Sequence, residues 1–135
     1  MLLKGSMSKN RVLIVDDDAN LSRLSGMILE NSGQYEVMIV NDSERALPAA
    51  VQFQPTVMLL DVDMPGKTGG DLASDASMDP RLRNVPILFL TGLLRREETL
   101  AGPIESGGRQ FLAKPVDSAQ LLAAVAGLLP RTGGN

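Results

Sequence analysis

Four short apolar runs in this 135-residue chain each end on a side chain that can do chemistry. Residues 11–15 run into Asp16-Asp17-Asp18, residues 56–60 into Asp61, residues 86–90 into Thr91 and residues 110–113 into Lys114. Brought together, these ends offer at least three carboxylates, one hydroxyl and one ammonium. Clustered carboxylates repel: at an effective dielectric of about 20, a pair roughly 4 Å apart costs about 4 kcal/mol. They all stay ionised only around a cation; otherwise their pKa values rise. The chain has no histidine and no cysteine. That removes imidazole and thiolate metal ligands, a histidine general base and a Ser-His-Asp triad. A metal here must be held by oxygen. Mg²⁺ suits such a site because it needs few protein carboxylates and keeps waters for a phosphate. With Lys114 and the metal on two phosphoryl oxygens, Thr91 on a third and a carboxylate as nucleophile, the product is an acyl phosphate. That chemistry runs on positioning and charge neutralisation, with no acid–base residue.

Those side chains need elements that carry them to one place. The β-branched run at 11–15 fits a strand buried on both faces. Leu21, Leu24, Ile28 and Leu29 follow at helical spacing over 20–31, and Gly33 stands where a helix C-cap belongs. Residues 35–40 form a second strand candidate, whose end, Asn41-Asp42, is not assigned to the site. Asn41-Asp42-Ser43 offers N-cap chemistry for a helix over 44–53, although Pro48 argues against its middle. Strands are predicted over 56–60, 86–90 and 110–113, with helices over 68–77, 95–106 and from Asp117 onward. Gly102-Pro103 should shorten or kink the helix over 95–106, and Gly107-Gly108 turns the chain into the last strand.

Five repeats of strand then helix predict an α/β fold: a doubly wound, five-stranded parallel sheet of order 2-1-3-4-5, flavodoxin-like, with helices on both faces. In such sheets ligands bind outside the carboxyl ends of the strands, which is where the chemical residues fall.

Composition agrees with a globular domain and narrows the partners. Hydrophobic residues make up 44% and charged residues 21%, and the formal net charge is −3 with 3% aromatics. That balance argues against direct nucleic-acid binding, which favours basic patches and stacking platforms. No apolar run approaches a membrane span and no signal peptide opens the chain, so a cytoplasmic location without membrane contact is expected. Residues 1–9 read as a disordered or vector-derived tail, 10–130 as one domain and 131–135 as a second tail. With nothing after Arg131 to act as an output, the reading is a stand-alone unit or a piece of a longer protein.

The segments Val12-Leu13-Ile14-Val15-Asp16-Asp17-Asp18, Met58-Leu59-Leu60-Asp61-Val62-Asp63-Met64-Pro65-Gly66, Leu90-Thr91-Gly92 and Phe111-Leu112-Ala113-Lys114-Pro115 together resemble the receiver domains of bacterial two-component response regulators, the chemotaxis-regulator type among them. The resemblance implies that Asp61 is the phosphoacceptor, and that Asp16, Asp17, Asp61 and the backbone carbonyl of Asp63 hold Mg²⁺. It implies that Thr91 and Lys114 engage the phosphoryl group, that Gly92 leaves room beside it, and that a peptide bond often cis precedes Pro115. Phe111 takes the place of the aromatic switch that follows Thr91 inward, here without a tyrosine hydroxyl. The partners implied are a histidine kinase or histidine phosphotransfer protein, with a downstream protein target or a homodimer on a face built from helix four, strand five and helix five. The implied role is signalling rather than enzymatic, with weak Mg²⁺-dependent self-phosphorylation and self-dephosphorylation.

Two rivals use the same residues differently. Asp61-Val62-Asp63 also resembles the start of haloacid-dehalogenase-type phosphatases, with Asp61 as nucleophile. Met64-Pro65 and the upstream Asp16-Asp17 pair count against it. A flavodoxin-like flavin binder would need a Ser/Thr/Gly-rich loop where Asp16-Asp17-Asp18 stands. Asp18 is left to cap a helix or face solvent, and Arg81, Arg83, Arg95 and Arg96 read most simply as a solvated face. Gly102-Pro103 and the spacing of 23 from Thr91 to Lys114 predict that the fourth helical region is irregular or mobile.

Overall fold

Burial on both faces decides the centre of the sheet. In the computed structural model, which describes residues 9–129, all five residues of β3 (Val57–Asp61) are buried. Full burial of a Val, Leu or Met side chain is worth about 1.5–3 kcal/mol. A strand this apolar is driven to the middle of the fold, and it carries Asp61 in with it. β1 (Asn10–Val15) lies beside it, with Val12 to Val15 buried. β4 (Ile87–Thr91) flanks β3 on the other side, and β2 (Tyr35–Val40) lies outside β1.

Side chains alternate between the two faces of these strands, which gives two cores. Val12, Ile14, Val57, Leu59, Leu88 and Leu90 point to the side covered by α1 (Ala19–Asn31) and α4 (Ser118–Leu128). Leu13, Val15, Met58, Leu60 and Phe89 point to the side covered by α2 (Ala46–Phe53) and α3 (Gly69–Ser77). Each of α1, α3 and α4 starts on a side-chain cap. Asp18 accepts from the Leu21 N–H at 3.0 Å, Thr68 from the Asp71 N–H at 3.1 Å, and Asp117 from the Gln120 N–H at 3.1 Å. Asp18 is thus the cap its position suggested. Pro48 does not break α2. A single 3₁₀ turn, Ser43–Arg45, precedes that helix. Pro48 therefore falls in its first turn, where no intrahelical partner is lost.

The helix expected over 95–106 is corrected, while the irregularity expected there from Gly102-Pro103 is present: no α-helix forms in that stretch. A 3₁₀ turn, Arg96–Thr99, is followed by a short strand, β5 (Ile104–Ser106), which pairs antiparallel with β6 (Arg109–Ala113). Gly102 sits at φ +133°, a backbone open in practice only to glycine, and Pro103 supplies no amide to a helix. Gly107 at φ +60° and Gly108 at φ +78° then close a two-residue hairpin, since positive φ at both positions is what a primed hairpin turn demands.

The sheet therefore has six strands, ordered β2-β1-β3-β4-β6-β5. Its five parallel strands keep the expected order, and the five-stranded expectation is corrected by one antiparallel strand at the edge. The surface expected from helix four, strand five and helix five is corrected likewise. Among the described residues, the turn Arg96–Thr99, the β5–β6 hairpin and α4 occupy that place. Residues 1–8 and 130–135 lie outside the described residues, and with them the expected tails, residue 9 excepted. No described helix is long and apolar enough to cross a membrane.

Candidate functional site

The register brings four strand ends level. Val15 pairs with Leu60, so Asp16 stands beside Asp61. Asp61 pairs with Leu90, setting Thr91 one residue beyond, and Thr91 pairs with Ala113, setting Lys114 one residue beyond that. Lys114 donates its backbone N–H to the Thr91 carbonyl at 2.9 Å, closing the row, and the Lys114–Pro115 bond is cis.

The side chains meet there. One carboxylate oxygen from each of Asp16, Asp17 and Asp61 lies within 4.8 Å of the other two. Asp16 is 2% and Asp61 4% exposed, while Asp17 is open to solvent. The Lys114 ammonium reaches both buried acids, 3.1 Å from Asp16 Oδ2 and 3.3 Å from Asp61 Oδ1. The other Asp16 oxygen accepts the Asp18 N–H at 2.9 Å. Thr91 is buried, and its hydroxyl oxygen accepts the Leu93 N–H at 3.0 Å. Asp63 is exposed, and its backbone N–H helps hold the Asp61 carboxylate charged. Gly92 faces open space. Phe111 lies half-buried, stacked on Phe89 with ring centroids 5.1 Å apart, and it lines a groove of about 320 Å³ with Thr91, Leu93 and Ile104.

Burial and neighbouring charges set the site's charge balance. Burial pushes the Asp61 carboxyl up from 3.8 to about 6, and the neighbouring Asp16 charge adds to the rise; Lys114 and the Asp63 amide oppose it. Burial alone would lower Lys114, but its hydrogen bonds and attraction to Asp16 and Asp61 prevail and hold its pKa above the usual lysine value. Three carboxylates against one ammonium leave two negative charges uncompensated. Hard oxygen donors with that balance fit a divalent cation of the Mg²⁺ or Ca²⁺ class.

Three further residues shape the site without belonging to the strand ends that contain Asp16, Asp61, Thr91 and Lys114. The Asn41 amide donates to the Asp16 carbonyl at 2.7 Å and to Ser22 Oγ at 3.0 Å, fixing the loop that presents Asp16 and Asp17. Gly69 lies so close to β3 that a Cβ there would meet the Asp61 carbonyl oxygen at 2.4 Å. Ser43 bonds twice to the loop after Asp61. The pair Gly69-Gly70 at a helix start is the sequence signal that could have marked Gly69, a residue that sequence reasoning missed. Nothing local distinguishes Asn41 or Ser43 from ordinary turn residues. Of the four arginines read as a solvated face, Arg81 is exposed and paired with Asp79, Arg83 and Arg95 are exposed, and the Arg96 side chain lies outside the described residues.

Known proteins resemble this chain in sequence and in fold. The family model of the response regulator receiver domain matches residues 12–126. The DNA-binding dual master transcriptional regulator RpaA of Synechocystis is 36% identical over 122 residues, covering 90% of this chain and 50% of that protein. Response regulator PleD of Caulobacter vibrioides is 37% identical over 119 residues, covering 87% of this chain and 26% of that protein. The chain thus spans half or less of the length of these two relatives. Among solved structures, the chemotaxis protein CheY4 of Vibrio cholerae superposes with a TM-score of 0.77 at 29% identity, covering 90% of this chain and 100% of that one.

Proposed function

Because the chain belongs to the response-regulator receiver family, the receiving component of two-component signalling, we propose that Asp61 accepts a phosphoryl group from a phosphohistidine. The observation that carries this assignment is the position of Asp61: buried, beside Asp16 and Asp17, and within 3.3 Å of the Lys114 ammonium. In the transfer, an Asp61 carboxylate oxygen bonds to phosphorus while the phosphorus–nitrogen bond of the donor imidazole breaks. The imidazole leaves with the electron pair and takes up a proton from solvent. Asp16, Asp17, Asp61 and the Asp63 carbonyl would hold Mg²⁺. When bound, that ion neutralises charge on the phosphoryl oxygens.

The chain's own residues do the rest. Lys114, already paired to Asp61, moves to a phosphoryl oxygen. Thr91 gives up the Leu93 N–H and donates its hydroxyl to a second oxygen, and Phe111 follows into the groove beside Thr91. The altered contacts bias a two-state surface made of the turn Arg96–Thr99, the β5–β6 hairpin and α4.

The donor is a histidine kinase or histidine phosphotransfer protein. The receiving surface is read by a downstream protein or a second copy of the chain, in the cytoplasm. Residues 10–130 form the receiver unit. The unit also phosphorylates itself slowly from small acyl phosphates and hydrolyses the product. The phosphatase reading has no support, since the matched family is that of receivers. Incubation with acetyl phosphate and Mg²⁺ should add one phosphoryl group by mass spectrometry, and Asp61→Asn should abolish it. Equal labelling of the Asn variant would reject Asp61 as the acceptor.

A further inference from the structure

From the hydrogen bonds around the loop that follows Asp61, we infer that Ser43 is a positioning residue for the metal site. The inference rests on the receiver reading for the part played by the Asp63 carbonyl. Ser43 opens the 3₁₀ turn before α2 and is 4% exposed. Its hydroxyl donates to the Pro65 carbonyl at 3.0 Å and accepts the Lys67 N–H at 3.1 Å. One side chain thus holds both sides of Gly66, which turns at φ +77° directly above it. A hydroxyl at a helix start is ordinarily spent on capping. Here Asp42 takes that role by accepting the Glu44 N–H at 3.0 Å, and Ser43 is released for a contact across 22 residues of sequence.

Beyond Gly66 the loop is also held by the Lys67–Asp75 ion pair and by the Thr68 N–H donating to Asp71 Oδ2 at 3.0 Å, but the stretch from Asp63 to Pro65 has few other anchors. At its start the Asp63 N–H reaches the Asp61 carboxylate. At its end the Gly69 N–H bonds the Val62 carbonyl at 3.2 Å. Between them only Met64 is buried, in the core under α2 and α3. Asp63 and Pro65 are exposed, so the direction of the Asp63 carbonyl depends on how the chain leaves Met64. Ser43 fixes that exit at Pro65. Mg²⁺ demands near-ideal octahedral geometry, so a loop freed at Pro65 and Lys67 should bind it less well even when every ligand remains.

The test is Mg²⁺ titration by amide NMR of the whole chain as wild type, Ser43→Ala and Ser43→Thr, with Ser43→Gly as a second removal of the hydroxyl. Loss of the hydroxyl should weaken Mg²⁺ roughly tenfold, the lower end for groups that orient metal ligands. The Lys67 amide should exchange with solvent roughly five- to tenfold faster, and Ser43→Thr should restore both. Unchanged Mg²⁺ affinity in the Ala and Gly variants, with the Lys67 amide released, overturns the positioning role. A wild type that binds Mg²⁺ but is not labelled at Asp61 overturns the phosphoacceptor reading and leaves the positioning role supported if the variants weaken Mg²⁺. A wild type that binds no Mg²⁺ overturns both.

Discussion

Replacing Asp61 by Asn should make the Mg²⁺-free protein more stable at neutral pH, although Asp61 is the centre of the site. The carboxyl is 4% exposed and its pKa rises from 3.8 to about 6, first through burial and then through Asp16. A raised carboxyl pKa means that the folded state holds the proton more tightly than the unfolded chain. The resulting penalty is absent below about pH 4, where both states are protonated. It grows between about pH 4 and 6 and is complete above that. At about 1.4 kcal/mol per tenfold change in acidity, the rise amounts to roughly 3 kcal/mol. Asn keeps the size and lacks the charge, and Lys114 retains Asp16 at 3.1 Å. Urea unfolding of both proteins without divalent ions should show Asn ahead by about 2–3 kcal/mol at pH 7 and nearly level at pH 4. Mg²⁺ should stabilise the wild type and close the gap. An Asn variant less stable than wild type at pH 7, or a difference that does not change between pH 4 and 7, would show that the Asp61 charge carries no such folding penalty.

Gly69→Ala forces a Cβ against the Asp61 carbonyl oxygen. Thermal unfolding should show a loss of about 1–3 kcal/mol together with slower acetyl phosphate labelling, whereas Gly92→Ala, with nothing within 4 Å, should be near neutral in stability. Gly108→Ala puts an L-residue at φ +78° in the hairpin turn and should cost about 1–2 kcal/mol. The loss should appear as faster amide exchange in β5 and β6 rather than in β1 or β3. Thr91→Val removes the acceptor of the Leu93 N–H, so the Leu93 amide signal should shift and lose exchange protection, and labelling at Asp61 should leave that signal unmoved.

The strand ends at Asp16 and Asp61 were legible because each follows a run buried on both faces, whereas the run before Lys114 is only half-buried at Gln110 and Phe111. Val12 to Val15 and Val57 to Leu60 are buried, and such a run reads as a central parallel strand whatever follows it. The missing helix shows the limit of the same logic. Residues 95–101 mix charges with Leu and Ala in a pattern a helix would accept, and Ile104-Glu105-Ser106 is too short to register as a strand. Its pairing depends on Gly107 and Gly108 adopting positive φ together, a property of the closed hairpin rather than of any one residue. Asn41 and Ser43 act through contacts across 25 and 22 residues. Only the folded chain says which loop a turn hydroxyl or amide will meet.

Lys114 explains why a site this acidic persists. At an effective dielectric of about 20, carboxylates within 4.8 Å of one another repel by about 3–4 kcal/mol per pair. Lys114 offsets part of that by touching both buried members at once. Four other described cations are committed elsewhere. Arg11 binds the carbonyls of Phe53 and Gln54, Lys67 pairs with Asp75, Arg81 pairs with Asp79, and Arg109 lies over the Phe89 ring. A second cation at the strand ends would balance the charge more fully and weaken the pull on a divalent ion. No cation there would leave Asp16 and Asp61 without a counter-charge in a nearly dry setting. One shared lysine gives both buried carboxylates a counter-charge, leaves two negative charges for a metal, and stands within reach of any group that bonds to Asp61.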